Sequence, residues 1–192
     1  MKIIVATNNE HKLREIEAII GSNFELVKLA DVGFFGEMPE DQSTLEGNAQ
    51  QKAALIYDRY QLPTIADDTG LFVPALGGAP GVFSARYAKM NHSDLTNVDF
   101  LLASMTGVED RSAYFRTIFA MVDSTGTHYF EGVCHGHILD TIRGVGGFGY
   151  DPVFVPQGYN MTFAEMDAEV KNTISHRAKA LERLRGYFGS SS

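Results

Sequence analysis

The sequence has little cysteine, no long hydrophobic run and no excess of positive charge, and each shortage excludes a class of protein. Its one cysteine, Cys134, cannot form an internal disulfide. The apolar stretch at residues 1–8 is too short for a signal peptide or a membrane span. The formal net charge of -8 argues against a broad surface that follows the phosphates of DNA or RNA. We therefore expect a soluble, cytoplasmic protein that binds neither membrane nor nucleic acid.

What is present is an ordinary globular composition. The chain of 192 residues is long enough for one domain with a sizeable core, or for one domain in two lobes. Hydrophobic residues make up 44% and charged residues 21%, as in typical folded proteins. We expect a single domain over residues 1–189, followed by a short disordered tail at 190–192.

Hydrophobic periodicity and turn residues predict a mixed α/β fold. Strands are expected at 2–6, 24–29, 64–67, 71–74, 114–122, 128–138 and 152–155, and helices at 12–20, 43–60, 93–105 and 175–188. Gly21 is expected to close the first helix, and Ser43 and Ser93 are expected to cap the second and third. Strands and helices interleave early and a long hairpin comes late, which favours a long, twisted central sheet with flanking helices.

Two adjacent carboxylates, Asp67 and Asp68, follow the apolar strand that begins at Thr64. Successive side chains of a strand point to opposite faces, so we expect the two acids to differ in role. A buried carboxylate is costly unless it is paired or bound to metal. An alternative is a strand that simply ends in an Asx turn, with both acids bonded to backbone.

The segment 6–12 lies between the first strand and the first helix. Such a turn directs free backbone N–H groups and the positive end of the helix dipole towards one point, where anions bind. An asparagine, Asn8 or Asn9, is a natural helix cap. Lys12 is unusual because the first turn disfavours cations, and a bound phosphate would reverse that preference. The segment lacks the glycines of a P-loop.

An acidic loop precedes the second helix, with four carboxylates within residues 37–46. A solvated loop is the common explanation of such a run. The alternative is a site for a hard cation shared with Asp68, because Mg²⁺ takes one or two carboxylates together with substrate phosphates and water.

Two later segments could contact a ligand. The glycines of residues 144–149 allow backbone to approach a ligand closely, and the aromatics between them could stack on a base. The alternative is a tight turn whose aromatics fill the core. In the second segment, Ser175 is expected to cap the last helix, which places His176 and Arg177 in its first turn. These cations indicate a nearby anionic or accepting group, or else an exposed surface pair.

The cluster Cys134, His135 and His137 does not predict zinc. A structural zinc site needs four ligands, and the chain has one cysteine. Alternation along a strand explains the cluster better.

Taken together, these segments resemble the inosine triphosphatase, or Ham1-like, family of noncanonical purine nucleoside triphosphate pyrophosphatases. The resemblance covers nearly the whole chain. It rests on ATNNEHK at 6–12, EGNAQQKA at 46–53, IADDTGL at 65–71, LGGAPGVFSARYA at 76–88, GGFGYDPVF at 146–154 and SHRAKAL at 175–181. It implies two lobes around an active-site cleft, a homodimer, and hydrolysis of inosine, deoxyinosine and xanthosine triphosphates (ITP, dITP, XTP) to the monophosphate and pyrophosphate, which cleanses the nucleotide pool.

The resemblance also implies a Mg²⁺-dependent site. Asp68 would be the catalytic base and a metal ligand, Glu40 would share the metal, and Lys12 and Lys52 would act on the triphosphate. The substrate-binding residues would be Thr7, Asn8, Asn9, Glu10, His11, Lys12, Thr69, Phe148, Gly149, Tyr150, Asp151, Lys171, His176 and Arg177. Among these, Phe148 would stack on the base, and Lys171, His176 and Arg177 would read the keto oxygen at purine position 6.

Two positions depart from the family pattern. Gln42 stands where the family commonly has glycine, and Thr69 stands where it often has serine, which keeps the hydroxyl. Two other functions stay open. One is a Maf-like pyrophosphatase acting on other modified or pyrimidine nucleotides, and the other is a nucleotide-binding module without catalysis.

Overall fold

The computed structural model describes residues 1–20 and 24–189. Within them, seven strands form one sheet in the order β2-β1-β3-β5-β6-β7, and β4 pairs with β3. The strands are β1 Lys2–Val5, β2 Glu25–Lys28, β3 Thr64–Phe72, β4 Pro80–Gly81, β5 Ser112–Asp123, β6 Gly126–Ile138 and β7 Phe154–Pro156. β1 pairs in parallel with β2 and β3, whereas the pairs β3–β4 and β6–β7 are antiparallel. The predicted mixed sheet with flanking helices is confirmed.

The helices of the described chain are α1 Glu10–Ile20, α2 Leu45–Tyr60, α3 Tyr87–Met90, α4 Asn97–Ser104, α5 Ala168–Ile174 and α6 His176–Gly189. Helix α1 forms where expected because Leu13, Ile16 and Ile20 recur at helical spacing and are all buried. Its predicted C-terminal residue, Gly21, lies outside the described residues, as does the predicted tail at 190–192.

The chain forms two compact units. Unit 1 comprises Met1–Asp68, Thr117–Gly132 and the residues from His176 onward, and unit 2 comprises Thr69–Arg116 and Val133–Ser175. The prediction of one catalytic domain in two lobes stays a prediction.

Each unit has a hydrophobic core of its own. In unit 1, apolar side chains of β1, α1, β3, β5, β6 and α6 meet, with Ile3, Ile16 and Phe119 almost fully buried. In unit 2, the core contains Leu101 of α4, with Phe154 and Phe163 among the aromatic rings that pack together. Burial of such side chains contributes about 1.5–3 kcal/mol each to the stability of the fold.

The largest difference from the sequence prediction is strand β3. Two short strands were expected, separated by residues 68–70, but one strand runs from Thr64 to Phe72. The carboxylates do not end the strand because cations and an amide from elsewhere in unit 1 satisfy them. Gly70 lets the strand continue beside β4, because a Cβ there would lie 2.5 Å from the Gly81 carbonyl oxygen.

Several element ends also differ. Helix α2 is capped by Thr44 rather than Ser43, and α4 by Thr96 rather than Ser93. In both helices the threonine hydroxyl accepts the backbone N–H of the residue three positions later, a role that was expected of the preceding serine in each case. The strand predicted at 152–155 begins at Phe154, after a 3₁₀ turn at Asp151–Val153. Helix α5 was not predicted.

The hairpin of β5 and β6 confirms the prediction of two long strands joined at residues 123–126. Among the described residues, every helix is too short or too polar to cross a membrane.

Candidate active site

Asp67 and Asp68 occupy neighbouring positions of β3 and have different partners. The Oδ2 atom of Asp67 lies 3.0 Å from the ammonium of Lys12 and accepts a hydrogen bond from Arg177 at 3.3 Å. Asp68 instead accepts a hydrogen bond from the Asn48 amide at 2.9 Å. Both aspartates are buried. The two side chains therefore have different partners, and the expectation that they differ in role stays a prediction.

The two neighbours also ionise differently. Burial alone would raise the pKa of Asp67, but the positive charges of Lys12 and Arg177 outweigh burial and hold that pKa far below its usual range. Burial raises the pKa of Asp68, and the nearby charges of Lys52 and Lys12 only partly offset it. Asp67 is therefore a fixed negative charge, whereas Asp68 is the carboxylate that more readily takes up a proton.

Lys52 connects the acidic loop to this strand. Its Nζ donates to Glu40 at 2.5 Å and to the backbone carbonyl of Asp67 at 2.7 Å, and lies 4.0 Å from Oδ1 of Asp68. The Lys52 side chain is 5% exposed and that of Glu40 is 37% exposed. Glu40 and Asp68 thus border the same small volume, with one carboxylate open to solvent and the other enclosed.

The loop before α2 is fixed by side-chain amides. Asn48 accepts the backbone N–H of Gln42 at 2.9 Å while it donates to Asp68, so one side chain links the loop to β3. Asp41 accepts hydrogen bonds from the side-chain amides of Gln42 and Gln51, each at 2.8 Å. Gln42, which replaces a common glycine, is not among the described residues with positive φ. The loop therefore accommodates a side chain there without backbone strain.

The turn between β1 and α1 carries its own cap. Asn9 accepts the N–H groups of His11 and Lys12, and its own N–H donates to the Thr7 hydroxyl. Asn8 donates to the carbonyl of Gly36 in the acidic loop. The expectation of an asparagine cap is confirmed for Asn9. The anion beside Lys12 in this structure is Asp67 of the protein itself.

Neighbouring groups shift the pKa of Lys12 in opposite directions. Its side chain is 15% exposed, and burial lowers its pKa. Asp67 raises that pKa again, while the positive charges of Lys52 and Arg177 lower it further. An additional anion such as phosphate would favour the charged ammonium at this position.

Arg177 lies in the first turn of α6 and is almost completely buried. Its guanidinium is paired with Glu15 of α1 as well as with Asp67 of β3. His176 beside it is also buried. Their predicted role at the purine base stays a prediction.

Unit 2 contains a separate buried pair. Lys171 of α5 donates to Oδ2 of Asp151 at 2.6 Å, and the same oxygen accepts the backbone N–H of Phe148 at 2.9 Å. The ammonium lies 5.1 Å from the centre of the Phe148 ring and 5.5 Å from that of Phe163. Gly147 has a φ of +68°, and a Cβ there would lie 2.1 Å from the same Asp151 oxygen. Glycine is therefore required for the loop to close over Asp151.

The remaining predicted residues of unit 2 differ in exposure. Tyr150 is buried and donates its hydroxyl to the carbonyl of Ser84 at 2.8 Å, and burial raises its pKa. Gly149 is exposed with a φ of +60°, and Thr69 is half-buried. Tyr150 thus supports the fold, whereas half-buried Phe148 presents part of its ring to the surroundings.

Comparison with known proteins identifies the family to which the chain belongs. The model of the Ham1 family matches residues 3–187, nearly the whole chain. The chain belongs to the Ham1 family. It is 50% identical to a protein of Porphyromonas gingivalis named dITP/XTP pyrophosphatase, over 97% of this chain and 96% of that one. A Geobacter sulfurreducens protein of the same name is 46% identical, over 98% of this chain and 96% of its own length.

Solved structures agree with this assignment. The Ham1 protein of Staphylococcus aureus superposes with a TM-score of 0.89 at 34% sequence identity, and each chain is covered completely. The predicted family and fold class are therefore confirmed.

The Ham1 family resemblance implies a bound divalent cation, and the chemistry of the residues present shows whether they fit one. No group of three or more histidine, cysteine, aspartate or glutamate side chains arranged around one point occurs among the described residues. Mg²⁺, however, commonly takes one or two carboxylates and completes its shell with phosphates and water. Glu40 and Asp68 supply two such carboxylates, and both lie within 4.0 Å of the Lys52 ammonium. These all-oxygen donors fit such an ion.

Sequence reasoning missed two residues of the candidate site. Asn48 was not among the predicted site residues, yet its side-chain amide donates to Asp68. Glu15 was not singled out at all. Its spacing of three residues from Lys12 places both on one face of α1, which is the signal that could have identified it.

Proposed function

We propose that this protein hydrolyses ITP, dITP and XTP to the monophosphate and pyrophosphate, and so removes noncanonical purines from the nucleotide pool. The names of its relatives support the substrate class. The observation that carries the chemistry is the buried Asp68, whose pKa burial raises, beside Lys52 and Glu40. A carboxylate with a raised pKa is suited to accept a proton near neutral pH.

In the proposed reaction, Asp68 orients a water molecule and takes its proton as the water oxygen attacks the α-phosphorus. The bond from the α-phosphorus to the bridging oxygen breaks, and pyrophosphate leaves. Asp67 is unsuited to this role because its pKa lies far below the usual range and its charge is committed to Lys12 and Arg177. Asn48 holds the Asp68 carboxylate in position through its hydrogen bond.

Lys12 and Lys52 neutralise the charge that develops towards the leaving pyrophosphate. Such fixed cations stabilise a phosphoryl-transfer transition state most where water is excluded, and both side chains are largely buried. The backbone of residues 7–11 contributes the turn that brings Lys12 to this point.

Glu40 and Asp68 are the residues that would hold Mg²⁺. When bound, the ion supplies charge neutralisation and orientation of the triphosphate oxygens. We also propose, as the resemblance implies, a cytoplasmic homodimer.

In this proposal the enzyme selects its substrates by recognising the keto oxygen at position 6 of the purine base. Donors that pair with a keto oxygen would be left unpaired by adenine's amino group, at a cost of about 1–3 kcal/mol each. In this proposal Phe148 stacks on the base, and Lys171, His176 and Arg177 are candidate donors. Guanine carries the same keto oxygen, so it is rejected at position 2 or by the shape of the pocket.

The test is pyrophosphate release from ITP, XTP, dITP, ATP, GTP, dTTP and UTP at alkaline pH, with Mg²⁺ and with a chelator. We expect release from ITP, dITP and XTP, and loss of release with the chelator or in Asp68→Asn. Asp58→Asn is the matched control, because Asp58 is an exposed aspartate of α2. Turnover mainly of pyrimidine nucleotides would assign the chain a Maf-like activity. A folded protein that binds nucleotides but releases no pyrophosphate would overturn the catalytic proposal.

A further inference from the structure

A buried serine connects the segment 76–88 to strand β3. The Oγ atom of Ser84 donates to the Gly81 carbonyl at 2.6 Å and accepts the backbone N–H of Leu71 at 2.8 Å. Gly81 of β4 is itself the pairing partner of Leu71 on β3. One hydroxyl therefore joins both strands of this pair. The segment carries one of the motifs of the family resemblance, and the proposed reaction uses none of its residues.

The same serine also holds the loop that bears Phe148. Its backbone carbonyl accepts the hydroxyl of Tyr150 at 2.8 Å. Tyr150 is 4% exposed, and burial raises its pKa, so the hydroxyl stays a hydrogen-bond donor near neutral pH. A hydroxyl left unpaired in the core is costly, so this bond keeps the loop at Ser84.

The residues on either side of Tyr150 close into a small turn. Asp151 accepts the backbone N–H of Phe148 at 2.9 Å, and its own N–H donates to the Phe148 carbonyl at 3.2 Å. The ring of Phe148 is half-buried, so part of it is open to a ligand. Because Tyr150 lies between these two residues, its hydroxyl anchors the turn that presents the ring.

The turn is therefore fixed from two elements of unit 2. Lys171 contacts Asp151 and fixes the turn relative to α5. The Ser84 carbonyl holds Tyr150, and the Ser84 hydroxyl holds Leu71, which lies two residues after Thr69 on β3. Ser84 thus relates the position of the turn to that end of β3.

We propose that Ser84 and Tyr150 are positioning residues for base recognition, which hold the Phe148 turn in place relative to the Thr69 end of β3. The inference rests on the proposed function, in which Phe148 stacks on the purine base. It gives the segment 76–88 a role in binding the base and none at the phosphates.

The first test compares ITP with inorganic tripolyphosphate, which has no base, in Tyr150→Phe. This substitution removes the hydroxyl and keeps the ring in the core. We expect KM for ITP to rise by about 2- to 12-fold, the factor that corresponds to one net hydrogen bond, with kcat little changed. Calorimetry with Mg²⁺ should show wild-type affinity for tripolyphosphate. Tyr129→Phe is the matched control, because the Tyr129 hydroxyl also donates at 2.8 Å, to Gln50 of unit 1.

Amide hydrogen exchange measures the anchor without turnover. In Tyr150→Phe the Phe148 N–H should exchange about 2- to 12-fold faster than in wild type, because the turn that protects it has lost one bond. The amide of Phe163, which donates to the Phe154 carbonyl in the same unit, should exchange at the wild-type rate. Faster exchange at Phe148 alone separates loss of position from loss of stability.

A second variant acts on the other side of the connection. Ser84→Ala removes the hydroxyl that binds Leu71 but keeps the carbonyl that accepts Tyr150. We expect KM for ITP to rise here too, and the double variant to rise by less than the product of the two factors, because both bonds belong to one connection. Ser104→Ala is the matched control, since its hydroxyl donates to the Phe100 carbonyl at 2.7 Å in α4 of the same unit.

Three results would overturn the inference. They are a tripolyphosphate affinity that falls by the same factor as that for ITP, an unchanged exchange rate at Phe148 in Tyr150→Phe, and single-variant factors that multiply in the double variant. Failure of the proposed function is a different result. A wild-type protein that releases no pyrophosphate gives no KM, but exchange at Phe148 still shows whether Tyr150 holds the turn, and calorimetry with ITP shows whether the turn serves the base.

Discussion

Unit 1 buries a network of charges around Asp67 and Asp68, whereas unit 2 buries one pair, Lys171 with Asp151. In unit 1 each carboxylate is shared among several groups, and the two adjacent aspartates have pKa values displaced in opposite directions. In unit 2 the Lys171 ammonium contacts the Asp151 carboxylate, and the rings of Phe148 and Phe163 lie near it. Burial of charge is common to both units, but the aromatic neighbours of the ammonium distinguish unit 2.

The difference shows that buried aspartates and lysines can have different functions in the two units. A network with several cations can keep one carboxylate ionised and leave its neighbour able to accept a proton, which is what acid–base chemistry needs. A buried lysine–carboxylate pair can instead fix geometry, here that of the loop bearing Phe148, whose N–H donates to Asp151. We therefore expect substitutions in unit 1 to reduce turnover and substitutions in unit 2 to reduce stability or substrate binding.

Asp68→Asn should show the largest effect on turnover. The amide keeps the size of the carboxylate and can still accept from Asn48, but it cannot take a proton from water. We expect kcat/KM for ITP to fall by about 10²- to 10⁴-fold, the usual contribution of a general base. Because burial disfavours the charge of Asp68, the free energy of unfolding should not decrease. Turnover within twofold of wild type would remove Asp68 from the reaction.

Lys171→Met should show the largest effect on stability. It leaves the Asp151 carboxylate buried without its cation, which in comparable cases costs about 3–5 kcal/mol. Urea unfolding measures the loss, and Lys179→Met, at an exposed lysine of α6, is the matched control. Adding Asp151→Asn removes the stranded charge and keeps an acceptor for the Phe148 N–H, so it should restore part of the stability. A single-variant loss no larger than that of the control would contradict the role given to this pair.

Lys52→Ala should reduce turnover with the fold retained. Lys52 contacts Glu40 and the Asp67 carbonyl, and the proposed reaction uses its charge on the leaving group. Removing one such group costs about 10²- to 10³-fold in kcat. Circular dichroism checks the fold, and Lys28→Ala, at an exposed lysine of β2, is the control. If Lys52→Ala keeps wild-type kcat/KM, Lys52 has no place in the site.

These contrasts bear on how far the sequence alone can predict the molecule. The mixed sheet, the long hairpin and helix α1 follow from local patterns of apolar residues, and all three are confirmed. The break expected after Asp67 was wrong, because the local pattern shows the cost of burying two acids but not the partners that offset this cost. Arg177, which pairs with Asp67, is 110 residues away along the chain.

The candidate site shows the same limit. The motifs indicated Asp68, Lys12, Lys52 and Glu40, and the structure brings these four side chains together in unit 1. Helix-dipole reasoning suggested that Arg177 and Lys12 need an anion nearby, and it could not say which one. That anion is Asp67, which only the folded chain reveals, since the cations that contact it come from two separate helices, α1 and α6.

The smallest expected effect, and the one that tests unit 2 as a binding surface, is that of Phe148→Leu. Phe148 and Phe163 lie at similar distances from the Lys171 ammonium, but Phe163 is 1% exposed whereas Phe148 is half-buried. If Phe148 stacks on the base, its loss should weaken binding by about 1–3 kcal/mol, or roughly 5- to 150-fold in KM for ITP, with kcat little changed. Tripolyphosphate affinity should stay at the wild-type value.

Phe163→Leu is the control and should show the reverse pattern, lowering the free energy of unfolding by about 0.5–3 kcal/mol with little change in KM. Similar effects of the two substitutions on KM would show that the rings act together as core, and that the base is recognised elsewhere.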